Sequence, residues 1–336
     1  MKKRRLKITR LIESYRPKTL DDIVGQDNNI TSIKSILRRA EGRTEDLPHF
    51  LFVGATPGTG KSSTAMAIAR EIWAEEWSSH FKELNASDDR GIAVIRDEVK
   101  QIVAHKGNKM LFLTEADHLT DDAQAALRRI MEKARGTVFI LDGNNLSKII
   151  GAIQSRCAVY IFKRLEPTII LKRLLQICSA EEIKVDLSNP DIREGLKILV
   201  EQSHGDMRSA LNSLETVINQ NKEVTPQSLV LIQKPKNVAM ALQKAVAGDF
   251  LGAKEMVTNL YIEEGSDATR IIEQLYEAID TIADDEVKLR LYSKLGEVDR
   301  GCALIRINQL IQLVDFVAYA WVAPRLMRCP ALEREK

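Results

Sequence analysis

Ala55-Thr-Pro-Gly-Thr-Gly-Lys-Ser62 is a run of small residues closed by a lysine and a hydroxyl, set between an apolar stretch and a helical pattern. Small residues let successive backbone N–H groups turn toward one point, and the helix N-terminus behind them adds its positive end, so the run suits phosphate oxygens. In this pattern Lys61 would reach the outer phosphates of a nucleotide and Ser62 would offer its hydroxyl to Mg²⁺. Gly58, Thr59, Gly60 and Ser63 complete the candidate binding set. The full pattern asks for glycine where Ala55 stands, with Gly54 just before it. A methyl group there matters only if φ must be positive or the loop packs tightly.

A second group follows another apolar stretch, Leu113-Thr-Glu-Ala-Asp117. Phosphate-loop ATPases place a metal-holding Asp first on such a loop, and many follow it with a Glu that polarises the attacking water. Here the first position is the neutral Thr114, while Glu115 keeps the water-activating place and Asp117 closes the motif. A hydroxyl adds no charge beside the metal, so the expectation is nucleotide binding through the loop with slow turnover. A helix-capping Thr-Glu cluster without catalytic role is the other reading of the same residues.

Three short apolar runs must position these groups: Phe50 to Val53, Met110 to Leu113 and Val138 to Leu141. Each ends in loop-forming polar or small residues, and helical patterns at 62–73, 92–104 and 121–133 separate them. Alternating strands and helices imply a parallel sheet whose ligands sit at the strands' C-terminal ends. Beyond Phe162 the strand signal stops, and helices are expected at 168–180, 191–201 and 207–219, then throughout 238–326. Thr225-Pro and Lys234-Pro punctuate the connection. The expected domains are 1–163, with a basic tail at 1–10, then 164–234 and 235–336. Trp73 and Trp77, four residues apart on one expected helix face, and Trp321 read as core residues.

Composition sets bounds on the class. The 336 residues are 44% apolar and 29% charged, enough for real cores and too charged for membrane insertion or disorder. No apolar run approaches the roughly 20 residues of a spanning helix. Cys157, Cys178, Cys302 and Cys329 are scattered, which fits neither zinc nor a disulfide framework and points to a reducing, intracellular location. With a net charge of +2, nucleic-acid binding would have to come from local basic surface.

Longer segments carry a family resemblance. Tyr15-Arg-Pro-Lys-Thr-Leu-Asp-Asp-Ile-Val-Gly-Gln26, Leu84-Asn-Ala-Ser-Asp-Asp-Arg-Gly-Ile92, Ile153-Gln-Ser-Arg-Cys157 and Gly205-Asp-Met-Arg-Ser-Ala-Leu-Asn212 resemble segments of replication factor C small subunits. Asp122 to Glu132 and Leu295 to Asp299 resemble two more. The resemblance covers nearly the whole chain after the first ten residues and is closest to a specialised second small subunit of archaeal type. It implies an AAA+ P-loop α/β core, a small helical lid and an all-α collar.

The resemblance also assigns roles. Tyr15, Arg16 and Val24 would lie against the adenine of ATP, which is bound with Mg²⁺; Arg156 would be an arginine finger reaching a neighbouring subunit's phosphate. Arg208 would be the lid's sensor, and Asn144 falls at the other sensor position, although Asp142-Gly-Asn-Asn-Leu departs from the usual context there. Arg90, Gly91 and Lys148 would track the phosphates of primer-template DNA. Val99, Ile102 and Val103 are the apolar residues available to a sliding clamp, with core packing the competing fate. Implied partners are a large subunit and another small subunit of the loader, the clamp and DNA, in the cytoplasm or nucleus according to the organism. The alternatives are a scaffold subunit that binds nucleotide without hydrolysing it, and a different AAA+ machine such as a branch-migration motor.

Overall fold

The computed structural model describes residues 11–86, 99–104, 107–218, 222–230, 237–262, 267–304 and 309–326. The chain divides into two compact units, Met1–Gln233 and Lys234–Lys336.

The first unit is built on five parallel strands: β1 (His49–Val53), β2 (Phe81–Asn85), β3 (Lys109–Thr114), β4 (Thr137–Gly143) and β5 (Cys157–Ile161). Their order is β2-β3-β4-β1-β5, so β4 lies between the strand that leads into the phosphate loop and the strand that carries the acidic motif. The register sets Phe52 of β1 beside Asp142 and Leu113 of β3 beside Leu141. Central strands buried on both faces read as continuous apolar runs, and Phe50, Phe52, Phe112 and Phe139 are each fully buried.

The first helix, α1 (Leu11–Ser14), packs Leu11 into a separate core with Ile170 and Leu211, and the helices that flank the sheet are α2 (Asp27–Ala40), α3 (Lys61–Trp73), α4 (Trp77–His80), α5 (Lys100–Ala104), α6 (Asp121–Lys133) and α7 (Gly151–Gln154). Thr120 caps α6 by accepting the Ala123 N–H, and Asp121 and Asp122 suit its positive end. The expectation that Trp73 and Trp77 share one helix face is corrected here. Ala74 has φ 45°, which ends α3 after Trp73, and Trp77 opens α4. Both rings still pack on the core, Trp73 stacked on His80 and Trp77 beneath the Arg70 guanidinium. Val99 is fully buried, and Ile102 and Val103 pack against the same core, so packing accounts for all three.

Four more helices complete this unit: α8 (Pro167–Ala180), α9 (Pro190–Gln202), α10 (Met207–Val217) and α11 (Pro226–Val230). Proline at the first position of α8 and α9 follows the preference for a residue whose missing N–H is not needed there. Their apolar faces enclose Ile170, Leu174, Leu196, Leu211 and Leu214.

The second unit is helical among its described residues: α12 (Asn237–Ala247), α13 (Phe250–Ile262), α14 (Ala268–Ile279), α15 (Asp285–Leu304) and α16 (Gln309–Leu326). Its core gathers Leu242, Val257, Leu275, Leu291 and Phe316, and the Trp321 indole donates to the Gly248 carbonyl at 3.0 Å. Among the described residues no helix is long and apolar enough to cross a membrane. Cys157, Cys178 and Cys302 are free thiols; burial pushes the first two up to about 12 and about 11.

Candidate nucleotide site

A cleft of about 570 Å³ opens where the loops after β1, β3 and β4 meet α10. Gly58 (φ 63°) and Gly60 (φ 105°) hold left-handed backbone that a side chain would strain. At Gly58 the space is also filled: a Cβ would stand 1.6 Å from Asp206 Oδ1. Gly54 is equally constrained, since a Cβ there would lie 2.4 Å from the Phe162 carbonyl oxygen. α3 starts directly on the loop, and no side chain caps its first N–H groups. Lys61 Nζ donates to the carbonyls of Gly54 (2.8 Å) and Thr56 (3.3 Å) and to Asn144 Oδ1 (3.4 Å). Burial holds its pKa below the usual lysine range, with Asp142 and Asp117 opposing that shift.

On the acidic loop, Glu115 lines the cleft in left-handed backbone (φ 55°) with its carboxylate 3.3 Å from His118 Nδ1. A non-glycine residue in that region is a strained position of the kind that collects at functional sites. Thr114 turns its hydroxyl toward β2, 3.5 Å from the Leu84 carbonyl and 3.4 Å from Asn85 Oδ1. Asp117 is buried and accepts the backbone N–H groups of Asn144 (3.2 Å) and Asn145 (3.1 Å), fixing the loop after β4. Gly143 makes room for it, because a Cβ there would meet Asp117 Oδ1 at 3.0 Å.

Asp142 closes the floor. Its Oδ1 accepts the Glu115 N–H at 2.8 Å, and its Oδ2 lies 3.5 Å from Ser62 Oγ. Burial pushes this carboxyl up to about 6, against the pull of the Glu115 N–H and the Lys61 ammonium. From the other side, Asp206 caps α10 by accepting the N–H groups of Arg208 (2.8 Å) and Ser209 (3.2 Å), and the Met207 N–H donates to the Gly58 carbonyl. Arg208 thus stands at the lip of the cleft. Arg164 Nε donates to Thr56 Oγ1 at 3.0 Å and braces the loop.

The sequence-derived residues divide clearly. Tyr15, Arg16, Val24, Gly58, Thr59 and Gly60 line the cleft, as do Lys61, Ser62, Ser63, Glu115, Asn144 and Arg208. The Tyr15 hydroxyl donates to Glu181 Oε1 at 2.8 Å, and burial first, then that bond, raises its pKa. Arg156 is not among the lining residues: its guanidinium pairs with Glu132 and donates to the Ala152 carbonyl at 2.8 Å. Lys148 is exposed and also outside the cleft. Arg90, Gly91 and the basic tail lie outside the described residues.

Comparison with known proteins agrees with this geometry. Residues 50–165 match the model of the "ATPase family associated with various cellular activities (AAA)", and residues 233–319 match the "Replication factor C C-terminal domain". The replication factor C small subunit of Archaeoglobus fulgidus is 40% identical, covering 92% of this chain and 96% of that protein. The chain belongs to the replication factor C small-subunit family. The small subunit of Haloarcula marismortui is 39% identical over 91% of this chain and 93% of that protein. Among solved structures, a Thermotoga maritima RuvB variant superposes with a TM-score of 0.56 at 17% identity, covering 79% of this chain and 89% of that chain. At that identity the likeness is one of fold, the AAA+ α/β core that replication factor C small subunits share.

The sequence reading missed Asp142 in the cleft, and Asp206 and Arg164 that brace its loop. Asp142 had a signal, an acidic residue closing a central parallel strand at the edge where ligands sit. Asp206 had another, an aspartate one residue ahead of a helical run, in the N-cap place. Arg164 had none, since its contact with Thr56 spans 108 positions of chain.

Proposed function

We propose that the chain is an ATP-binding subunit of a sliding-clamp loader. In a ring with a large subunit and another small subunit, it helps open the clamp and place it on primer-template DNA. The observation that carries this is the convergence of Lys61, Ser62, Glu115, Asn144 and Arg208 on one cleft, in a chain of this family. The cleft suits a Mg²⁺-nucleotide: positive-φ glycines with no room for a Cβ at Gly58, uncapped N–H groups at the start of α3, and a buried ammonium. Lys61 and the loop N–H groups bind the phosphates, and Tyr15, Arg16 and Val24 border the base. Ser62 would hold Mg²⁺, which supplies charge neutralisation at the phosphates. Glu115 orients water for hydrolysis, and Arg208 senses the nucleotide from the lid.

Arg156 acts on a neighbour. It lies outside the chain's own cleft, partly exposed and paired with Glu132, where a phosphate bound by the adjacent subunit could take it from the carboxylate. A guanidinium suits this because it is always charged and its planar fork matches phosphate oxygens. The exposed Lys148, with Arg90 and Gly91 by sequence, would meet the DNA backbone and give salt-dependent binding without base reading. The non-hydrolysing scaffold is the less favoured reading, because Glu115 still stands in the cleft beside Lys61 and Ser62.

The test is equilibrium binding of labelled ATP to the full chain and to Lys61→Ala. Saturable binding that K61A abolishes supports the reading. No binding by the unaltered chain at millimolar nucleotide would overturn it.

A further inference from the structure

Taking the nucleotide reading above as its basis, we propose that Asp142 supplies the carboxylate that supports the nucleotide's Mg²⁺, from β4 instead of β3. The usual position for that carboxylate is occupied by Thr114, which lines the cleft but carries no charge and whose hydroxyl engages Leu84 and Asn85 on β2. β4 lies between β3 and β1, so a residue closing β4 stands one strand spacing, about 4.8 Å, nearer the loop than its neighbour on β3. Asp142 is that residue, level with Phe52 on the strand leading into the loop. The negative charge missing at Thr114 is therefore present on the adjoining strand.

The local geometry fits a supporting role. Oδ2 lies 3.5 Å from the hydroxyl of Ser62, the side chain that the phosphate-loop pattern assigns to the metal. Oδ1 is fixed by the Glu115 N–H at 2.8 Å, which orients the carboxylate and ties it to the water-activating residue. Asp142 is 6% exposed, and buried carboxylates are paired with cations or coordinate metals. Lys61, the nearest cation, already has three oxygen acceptors, the carbonyls of Gly54 and Thr56 and Oδ1 of Asn144. A second cation at Ser62 would complete the balance. Such outer partners orient metal ligands and tune affinity, although they need not touch the ion.

The measurement is the ratio of nucleotide dissociation constants in EDTA and in Mg²⁺, using fluorescent ADP and the full chain. Mn²⁺ bound with ADP, counted by electron paramagnetic resonance, gives a second readout independent of turnover. D142N keeps the acceptor for Glu115 and removes the charge. Loss of an outer partner typically costs about 10–100-fold in metal affinity, so D142N should shrink the ratio by at least that tenfold floor. T114D added to D142N should restore it. If D142N retains the full Mg²⁺ dependence, the inference is overturned while the nucleotide reading stands. If the unaltered chain binds no nucleotide in either condition, the reading itself fails and this inference with it. Should D142N not fold, T114D alone decides: with Asp142 filling the role, it should tighten Mg²⁺-dependent binding by well under roughly tenfold. A gain of that size or more would show that the carboxylate had been missing.

Discussion

Replacing Gly58 by alanine should destabilise the N-terminal unit by an amount that already contains the loss of the Asp206 cap. Gly58 has φ 63°, and the added methyl carbon would sit 1.6 Å from Asp206 Oδ1 and 3.0 Å from the Arg208 nitrogen. Left-handed backbone costs an alanine about 1–2 kcal/mol. The Asp206 carboxylate must swing out, breaking its bonds to the Arg208 and Ser209 N–H groups, which costs about 1 kcal/mol more. G58A should therefore cost about 2–3 kcal/mol, and D206A alone about 1 kcal/mol. The double variant should cost no more than G58A, because the cap can be lost only once. Simple additivity would give about 3–4 kcal/mol. Urea unfolding followed by tryptophan fluorescence measures this, in a W321F background so that Trp73 and Trp77 report the N-terminal unit. A double variant that matches the additive sum would refute the claim that a side chain at position 58 displaces the Asp206 carboxylate.

Other outcomes follow from the same structure. In the assembled loader, R156A should lower turnover at the neighbouring site it reaches by roughly 10³-fold, whereas E132Q, which frees the guanidinium, should not; an unchanged rate for R156A would contradict action in trans. His49 accepts the Phe139 N–H at 3.2 Å, and burial lowers its pKa below 6.5. The unfolded chain therefore takes up a proton near pH 6.5 before the folded chain does, so stability is level above that pH and falls as pH drops toward the folded value. His49→Gln should flatten this part of the pH–stability curve, and an unaltered slope in denaturant melts would rule the assignment out.

The sequence made the central strands legible and the charged edge strand β2 not. β1, β3 and β4 are continuous apolar runs because both their faces are covered. β2 and β5 are the sheet edges. Phe81-Lys-Glu-Leu-Asn85 carries two charges on exposed positions and so lacks an uninterrupted apolar signature, whereas β5, Cys157-Ala-Val-Tyr-Ile161, is apolar throughout even though Val159 and Ile161 lie exposed. The helix end at Trp73 agrees with the expected 62–73, but nothing in Trp-Ala-Glu-Glu-Trp marks the left-handed turn at Ala74 that sets Trp77 on a separate helix. In the cleft, the phosphate loop was readable because its chemistry is local, a run of neighbours around one anion. Asp142 and Asp206 were harder: each matters through contacts with distant segments, Asp142 with Ser62 and Glu115, and Asp206 against Gly58. Arg156 was readable only as part of Ser155-Arg156-Cys157, a pattern whose meaning depends on a neighbouring subunit.

The most direct test of the account is the native mass and subunit composition of the complex recovered with this chain from its own cells. The account predicts a hetero-oligomer with a larger AAA+ subunit and a second small subunit, whose ATPase rises with a ring clamp and primed DNA. A monomer or homo-oligomer with neither partner, indifferent to clamp and DNA, would contradict it.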